Sequence, residues 1–128
     1  MSRTTDFPNG LKAFFVDSNS VLKSAAYTVV TTDDSGKEFT IETDGVVFTL
    51  PAIAVGNTIT FTNNAPDASA ALTISPAAAD GITYAGSATD NKDLINAKAT
   101  AKRGDSVTLA SLDGTVAWQV VKARGAWT

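Results

Sequence analysis

The side chains of this chain that could do acid–base chemistry are carboxylates, because the sequence contains no histidine and no cysteine. Histidine is the usual general base and cysteine a strong nucleophile, and both are common metal ligands, so most hydrolase and metalloenzyme designs are excluded. The closest carboxylate pairs are Asp33 with Asp34 and Asp90 with Asp93. A glycosidase needs two carboxylates on opposite sides of a cleft, whereas both pairs fall in predicted turns, where aspartate bonds to the backbone. We therefore expect no enzyme activity.

Cofactor and metal sites are not predicted either. Oxygen ligands alone can hold calcium, and the candidate donors are Asp33, Asp34, Asp80 and Asp90, but the spacing of an EF-hand is absent. Gly104 follows two basic residues without the spacing of a phosphate loop or a dinucleotide fingerprint, so it indicates a turn. We expect no cofactor and no metal.

Apolar and polar residues alternate with a period of two along most of the chain, which predicts half-buried β-strands. The outward positions are mostly threonine. The predicted strands are 27–32, 38–43, 46–50, 58–63, 71–75, 82–84, 106–110 and 116–123. Short strands separated by turn signals are typical of a sandwich or small barrel. The sequence therefore predicts an all-β fold, a small antiparallel β-sandwich or barrel of jelly-roll type.

Two dipeptides carry hairpin signals. Asp44-Gly45 predicts that strands 38–43 and 46–50 pair antiparallel, and Asp113-Gly114 predicts a second hairpin. The segment 91–102 is ambiguous, because its first half fits a helical turn after an Asp90 cap and its last three residues fit an extended chain. We predict a loop with a short strand at 100–102.

The N-terminal residues differ from the rest of the chain. A turn, a short apolar patch and a polar linker follow one another, so residues 1–24 are predicted to form an extended arm that precedes a β domain at 25–128. Its candidate contact residues are Phe7, Leu11, Phe14 and Phe15. They either dock on a partner or a neighbouring subunit, or pack back on their own domain.

Four aromatic residues suggest a further possibility, a stacking platform for sugars: Tyr27, Tyr84, Trp118 and Trp127. The alternation of Trp118 with its neighbours favours a core position, where burying the indole contributes about 2 to 3 kcal/mol. Trp127 has two interpretations. It either clamps the last strand or enters a subunit interface, where tryptophan is enriched.

Composition excludes several partners. The chain has 128 residues, is 44% hydrophobic and 18% charged, and has a net charge of −3, so it should fold as one domain plus an arm. The ten lysines and arginines are scattered, which argues against binding to nucleic acid. The apolar run at 13–16 is too short for a signal peptide or a membrane span. We expect a protein that is made and used without secretion, and that has no membrane partner.

The order of several segments resembles a family of tailed bacteriophages, the capsid decoration (cement) proteins and the related distal domains of head fibres. The segments that carry the resemblance are Val29-Val30-Thr31, Asp34-Ser35-Gly36-Lys37, Val47-Phe48-Thr49-Leu50-Pro51-Ala52, Gly56-Asn57-Thr58-Ile59-Thr60-Phe61-Thr62-Asn63, Ile74-Ser75-Pro76-Ala77-Ala78-Ala79-Asp80, Lys92 through Asp105, and Gly125-Ala126-Trp127. Together they cover most of residues 26–128.

The resemblance implies a non-enzymatic virion protein on the outer surface of the mature capsid. Such a protein is made in the host cytoplasm and bridges subunits of the major capsid protein, commonly as a homotrimer. No binding residue can be carried over, so the contact candidates remain the four arm residues named above and Trp127. The alternative is a carbohydrate-binding or host-adhesion module of a head fibre or tail spike.

Overall fold

A computed structural model of the chain describes residues 3–6, 12–15, 20–30, 34–54, 56–78, 80–84, 87–90, 92–112 and 117–128. Within these ranges the chain forms thirteen β-strands. They are β1 Arg3–Asp6, β2 Lys12–Phe15, β3 Ser20–Lys23, β4 Tyr27–Thr28, β5 Glu38–Ile41, β6 Val46–Thr49, β7 Thr58–Asn63, β8 Leu72–Ser75, β9 Gly81–Tyr84, β10 Ser87–Asp90, β11 Leu94–Asn96, β12 Asp105–Ala110 and β13 Ala117–Arg124.

The strands form two sheets that share one core, together with a separate two-stranded sheet of β1 and β2. The large sheet has seven strands in the order β10-β9-β13-β12-β7-β5-β3, and the small sheet has four in the order β11-β8-β6-β4. The predicted all-β fold is confirmed. Both sheets are mixed, however, and not purely antiparallel as the sequence suggested. None of the described residues forms a helix long and apolar enough to cross a membrane.

Four of the parallel pairs arise because consecutive strands from β3 to β9 alternate between the two sheets. β5 and β7 belong to the large sheet, whereas β6 and β8 belong to the small one. Each connection reverses the chain, so every second strand runs the same way, and β5 pairs with β7 and β6 with β8 in parallel. The predicted antiparallel pairing of 38–43 with 46–50 is therefore wrong. The turn at Asp44-Gly45 carries the chain from one sheet to the other.

The segment 91–102 also differs from its prediction. Its strand is β11, at Leu94–Asn96, which pairs antiparallel with β8, while residues 98–100 form a turn. Leu94 is buried and its partner in register is Ile74, so burial of the leucine favours the extended conformation there. The second predicted hairpin agrees with the antiparallel pairing of β12 with β13. Its turn at 113–114 lies outside the described residues.

The core lies between the inner faces of the two sheets. Phe39 and Phe61 of the large sheet stack with their ring centroids 5.7 Å apart, and Phe48 of the small sheet lies 4.9 Å from Phe61. Aromatic pairs at these separations add to the free energy gained by burial alone. Trp118 is fully buried, which confirms its predicted place in the core.

The predicted arm contains three strands. β1 pairs antiparallel with β2 in a register that joins Arg3 to Phe15 and Asp6 to Lys12. β3 pairs in parallel with β5 and forms one edge of the large sheet. The last residues of the arm thus add a strand to the sandwich.

Candidate functional site

The contact residues predicted from the sequence fall into three groups. Phe7 and Leu11 lie outside the described residues. Phe14 and Phe15 lie in β2, where they pair in register with Thr4 and Arg3 of β1. Trp127 packs into the core with 5% of its surface exposed, and its indole nitrogen donates to the carbonyl oxygen of Arg124 at 3.0 Å. This burial within the chain favours the first of its two interpretations, a clamp on the last strand.

The β1–β2 hairpin pairs with neither sheet of the sandwich. A two-stranded hairpin alone is marginally stable in water and gains stability by packing against another surface. Five peptide units separate Phe15 from Ser20, so the end of β2 lies within about 18 Å of the start of the edge strand β3. A β1–β2 hairpin of four residues per strand is therefore expected to gain stability from packing against another surface.

The outer face of the large sheet is covered by hydroxyl groups. We define the outer face by two rows of residues in register across β3, β5, β7, β12 and β13. The first row is Ser20, Glu38, Thr60, Thr108 and Lys122, and the second is Leu22, Thr40, Thr62, Ser106 and Arg124. At the centre, the hydroxyl oxygens of Thr60 and Thr108 lie 2.9 Å apart. The outward threonines predicted by the alternation thus form one continuous polar surface.

Four large apolar side chains are exposed among the described residues. They are Leu22 (59%), Val30 (43%), Leu112 (64%) and Val121 (53%). Leu22 lies on β3 at one edge of the outer face, and Val121 lies on β13 at a register shift between β12 and β13. Two of the four therefore lie on the strands that bound the outer face.

Among the candidate acidic residues whose burial is described, Asp34 is the most enclosed, with 1% of its surface exposed. Its carboxylate accepts hydrogen bonds from the Tyr27 hydroxyl and the Val30 amide, both at 2.8 Å, and from the Lys37 ammonium at 3.1 Å. Burial raises the pKa of Asp34, but these three donors lower it by more, so the pKa lies below its ordinary value. The carboxylate therefore holds β4 to the loop before β5. Its predicted neighbour Asp33 lies outside the described residues.

We expect D34N to lower the free energy of unfolding by about 2 kcal/mol at pH 7, because the amide nitrogen cannot accept the bonds that the carboxylate accepts. A folded-state pKa below the unfolded value gives stability that is present above about pH 4 and is lost as the pH falls through the folded-state pKa. Urea unfolding should therefore show a difference in the free energy of unfolding between wild type and D34N that is smaller at pH 3 than at pH 7. If this difference in the free energy of unfolding did not change with pH, the stabilising role of the ionised Asp34 carboxylate would be contradicted.

Other acidic residues of the sandwich also accept hydrogen bonds from backbone amides of its loops. The pKa of Asp44 is lowered because its carboxylate accepts from the Ala71 amide and the Lys98 ammonium, and the pKa of Asp67 is lowered by the Arg103 amide and by Lys102. Asp80 accepts from the Ile53 amide at 2.9 Å. In the described part of the chain, no three His, Cys, Asp or Glu residues form a group suited to a metal ion.

A buried polar network joins both sheets to the C-terminal residues. Asn63 donates to the side-chain oxygen of Asn96 at 2.9 Å, and Asn96 donates to Asp105 and to the carbonyl of Ala126, both at 3.0 Å. Thr128 and Ile95 exchange two backbone hydrogen bonds, so the chain after β13 covers the outer edge of β11. We did not predict this network. The signal was available, because Asn63 and Asp105 occupy inward positions in the alternation of β7 and β12.

The aromatic residues proposed as a sugar platform do not lie together on the surface. Trp118 and Trp127 are buried, and Tyr27 and Tyr84 are partly buried and pack against the core. The hydroxyl of Tyr27 is bound to Asp34, and the ammonium of Lys23 lies 3.8 Å from the centre of its ring. These four aromatic side chains stabilise the sandwich.

Comparison with protein-family models gave no match for this chain, and comparison with curated proteins gave no significant match.

Proposed function

We propose that this protein is a bacteriophage capsid decoration protein, a homotrimer that binds the outer surface of the mature head and bridges subunits of the major capsid protein. The observation that carries the proposal is the β1–β2 hairpin, which forms a separate two-stranded sheet and includes Phe14 and Phe15. The order of segments that resembles the decoration family also supports it. In this proposal the hairpin is the capsid contact.

The described carboxylates fit a binding protein. Asp34, Asp44 and Asp67 each accept a hydrogen bond from a backbone amide and form an ion pair with a lysine, which fixes loops of the sandwich. A rigid sandwich that binds only the assembled lattice stabilises that lattice by mass action and needs no chemical step. Each contact can be weak, because copies joined in one oligomer bind neighbouring lattice sites at a high effective concentration.

The test is binding of purified protein to purified mature capsids that lack it, measured by co-sedimentation. Deleting residues 2–19 removes the hairpin and leaves β3 in place, so we expect a sandwich that still unfolds cooperatively but binds at least about a hundredfold more weakly, which corresponds to about 2.7 kcal/mol. The full-length variant F14S/F15S should show most of this loss. L112S is the matched control, because Leu112 is an exposed apolar residue of the sandwich, and it should bind as wild type.

Retained binding after the deletion would overturn the role of the hairpin. The copy number in purified virus particles tests the decoration role separately, by quantitative mass spectrometry against the major capsid protein. We expect a ratio of order one. A handful of copies per particle would favour the head-fibre alternative, and absence from the particle would contradict both virion roles.

A further inference from the structure

The outer face, as defined over five strands, carries opposite charges at its two ends. β13 lies inside the seven-stranded sheet, but its pairing with β9 covers only Ala117 to Gln119, so Lys122 and Arg124 lie beyond that pairing. Glu38 lies on β5, next to the edge strand β3, and Lys122 and Arg124 lie on β13. Two strands, β7 and β12, lie between Glu38 and Lys122 in the first row, so three inter-strand spacings place the two side chains about 14 Å apart across the sheet. They are too far apart to pair within one chain.

The three charged groups are exposed and available for a partner. Within the described ranges, no ion pair or hydrogen bond involves the side chain of Glu38, Lys122 or Arg124. The lysines near Glu38 are engaged elsewhere. Lys37 is bound to the buried carboxylate of Asp34, and Lys23 lies over the ring of Tyr27. Glu38 is thus the acidic group that this end of the outer face presents.

Each end also has an exposed apolar side chain. Leu22 on β3 lies diagonally across from Glu38 on β5, because Leu22 pairs in register with Thr40 and Glu38 pairs with Ser20. Val121 directly precedes Lys122. One end therefore offers an apolar group with an acid, and the other offers an apolar group with two bases. We call them the acidic edge (Leu22 and Glu38) and the basic edge (Val121, Lys122 and Arg124).

We propose that the acidic edge of one copy of this chain binds the basic edge of the next. The two surfaces differ and are complementary in charge, so the contact is head-to-tail, and repetition of such a contact closes into a ring when the rotation between copies allows it. The inference rests on the homotrimer proposed above and names the surfaces that form it. The hairpin is left free for the capsid.

The strength of this contact should depend on charge and on salt. Exposed ion pairs contribute modestly to affinity, whereas like charges placed opposite each other oppose association strongly. Added salt screens both effects. We therefore expect self-association to weaken between low and high ionic strength, and charge reversal at one edge to disrupt it more than neutralisation does.

The experiment measures self-association of the full-length protein by sedimentation equilibrium, without capsids. E38K should raise the dissociation constant about tenfold or more, and so should K122E/R124E, because each places like charges in contact. The combined variant E38K/K122E/R124E restores opposite charges with the signs exchanged, and should assemble nearly as wild type. K92E is the control, because Lys92 is exposed and precedes β11 of the small sheet.

Mixing the variants tests the number of copies. In an equimolar mixture of E38K and K122E/R124E, every contact of a two-membered assembly can join opposite charges, whereas a ring of three always contains a contact between two copies of the same variant. For a homotrimer we expect the mixture to fail to restore the closed ring. Full restoration of self-association in the mixture would contradict a homotrimer, but it would support the pairing of the acidic edge with the basic edge.

The outcomes separate this inference from the proposed function. A wild-type protein that stays monomeric at every concentration tested overturns the oligomer. An oligomer that neither edge variant weakens, or that the combined variant fails to restore, overturns the assignment of the edges. Capsid binding by monomeric or oligomeric variants is a separate measurement, and its loss after deletion of residues 2–19 does not depend on either edge.

Discussion

Replacing Gly125 with alanine is expected to lower the free energy of unfolding by about 3 kcal/mol. The residue has φ +97°, in the region that alanine adopts at a cost of about 1 to 2 kcal/mol. A methyl group there would also overlap the carboxylate of the buried Asp105, and forcing extra volume into a packed site costs about 1 to 3 kcal/mol. Chemical denaturation of wild type and G125A at neutral pH measures the difference.

The matched control is G104A. Gly104 has a similar φ of +92°, but a methyl group there would meet no other atom within 4 Å. G104A should therefore show only the backbone cost of about 1 to 2 kcal/mol. Equal losses in the two variants would mean that the Asp105 carboxylate moves aside, and would contradict the close approach of the C-terminal residues to β12.

Replacing Asn96 with alanine is expected to cost about 3 kcal/mol as well. Asn96 is fully buried and makes three hydrogen bonds, to Asn63, Asp105 and the carbonyl of Ala126. Its removal takes one hydrogen bond from each of these groups in the protein interior, where a lost bond is not replaced by water. Asp105 would retain the bond from the Lys102 amide at 2.9 Å. N64A is the control, because Asn64 bonds to Glu42 at the surface, and it should change stability little.

The variant N96D adds a test in which the direction of the change of stability with pH is predicted. Its new carboxylate would lie 3.0 Å from that of Asp105 if the side chain keeps its place. Two carboxylates this close cannot both be ionised without strong repulsion, so the folded state would hold a proton that the unfolded state releases. The stability of N96D should therefore fall as the pH rises from about 4 to 7, relative to wild type. A difference that does not change with pH would mean that the carboxylates separate.

The sequence predicted the strands better than their partners. Thr58–Asn63 was predicted to the residue, because alternation depends only on which side chains face the core. The pairing across Asp44-Gly45 was wrong, because a turn signal describes a local reversal of the chain and not the sheet that the chain enters next. Leu94–Asn96 has only three residues, too few for its period to distinguish a strand from a helical turn.

The candidate site was predicted less completely. The arm residues were singled out by their apolar character, but the opposite charges of Glu38 and Lys122 lie 84 positions apart in the chain and meet on one face only through the order of five strands. The prediction for Trp127 was incomplete for a similar reason, because a tryptophan near a terminus fits both a subunit interface and a core, and only the fold shows that it is buried. The inward positions of Asn63 and Asp105 were visible in the alternation and could have been used.

The alternation of consecutive strands between the two sheets has a consequence for synthesis on the ribosome. When residue 75 has emerged, each sheet holds only some of its strands, and the central positions of β12 and β13 in the large sheet are still empty. The edge of the small sheet likewise stays uncovered until Thr128 has been synthesised, because Thr128 pairs with Ile95 of β11. A nascent chain therefore exposes unpaired edges and an open core until residues up to 128 are available, and slow non-local pairing of this kind favours chaperone binding during translation.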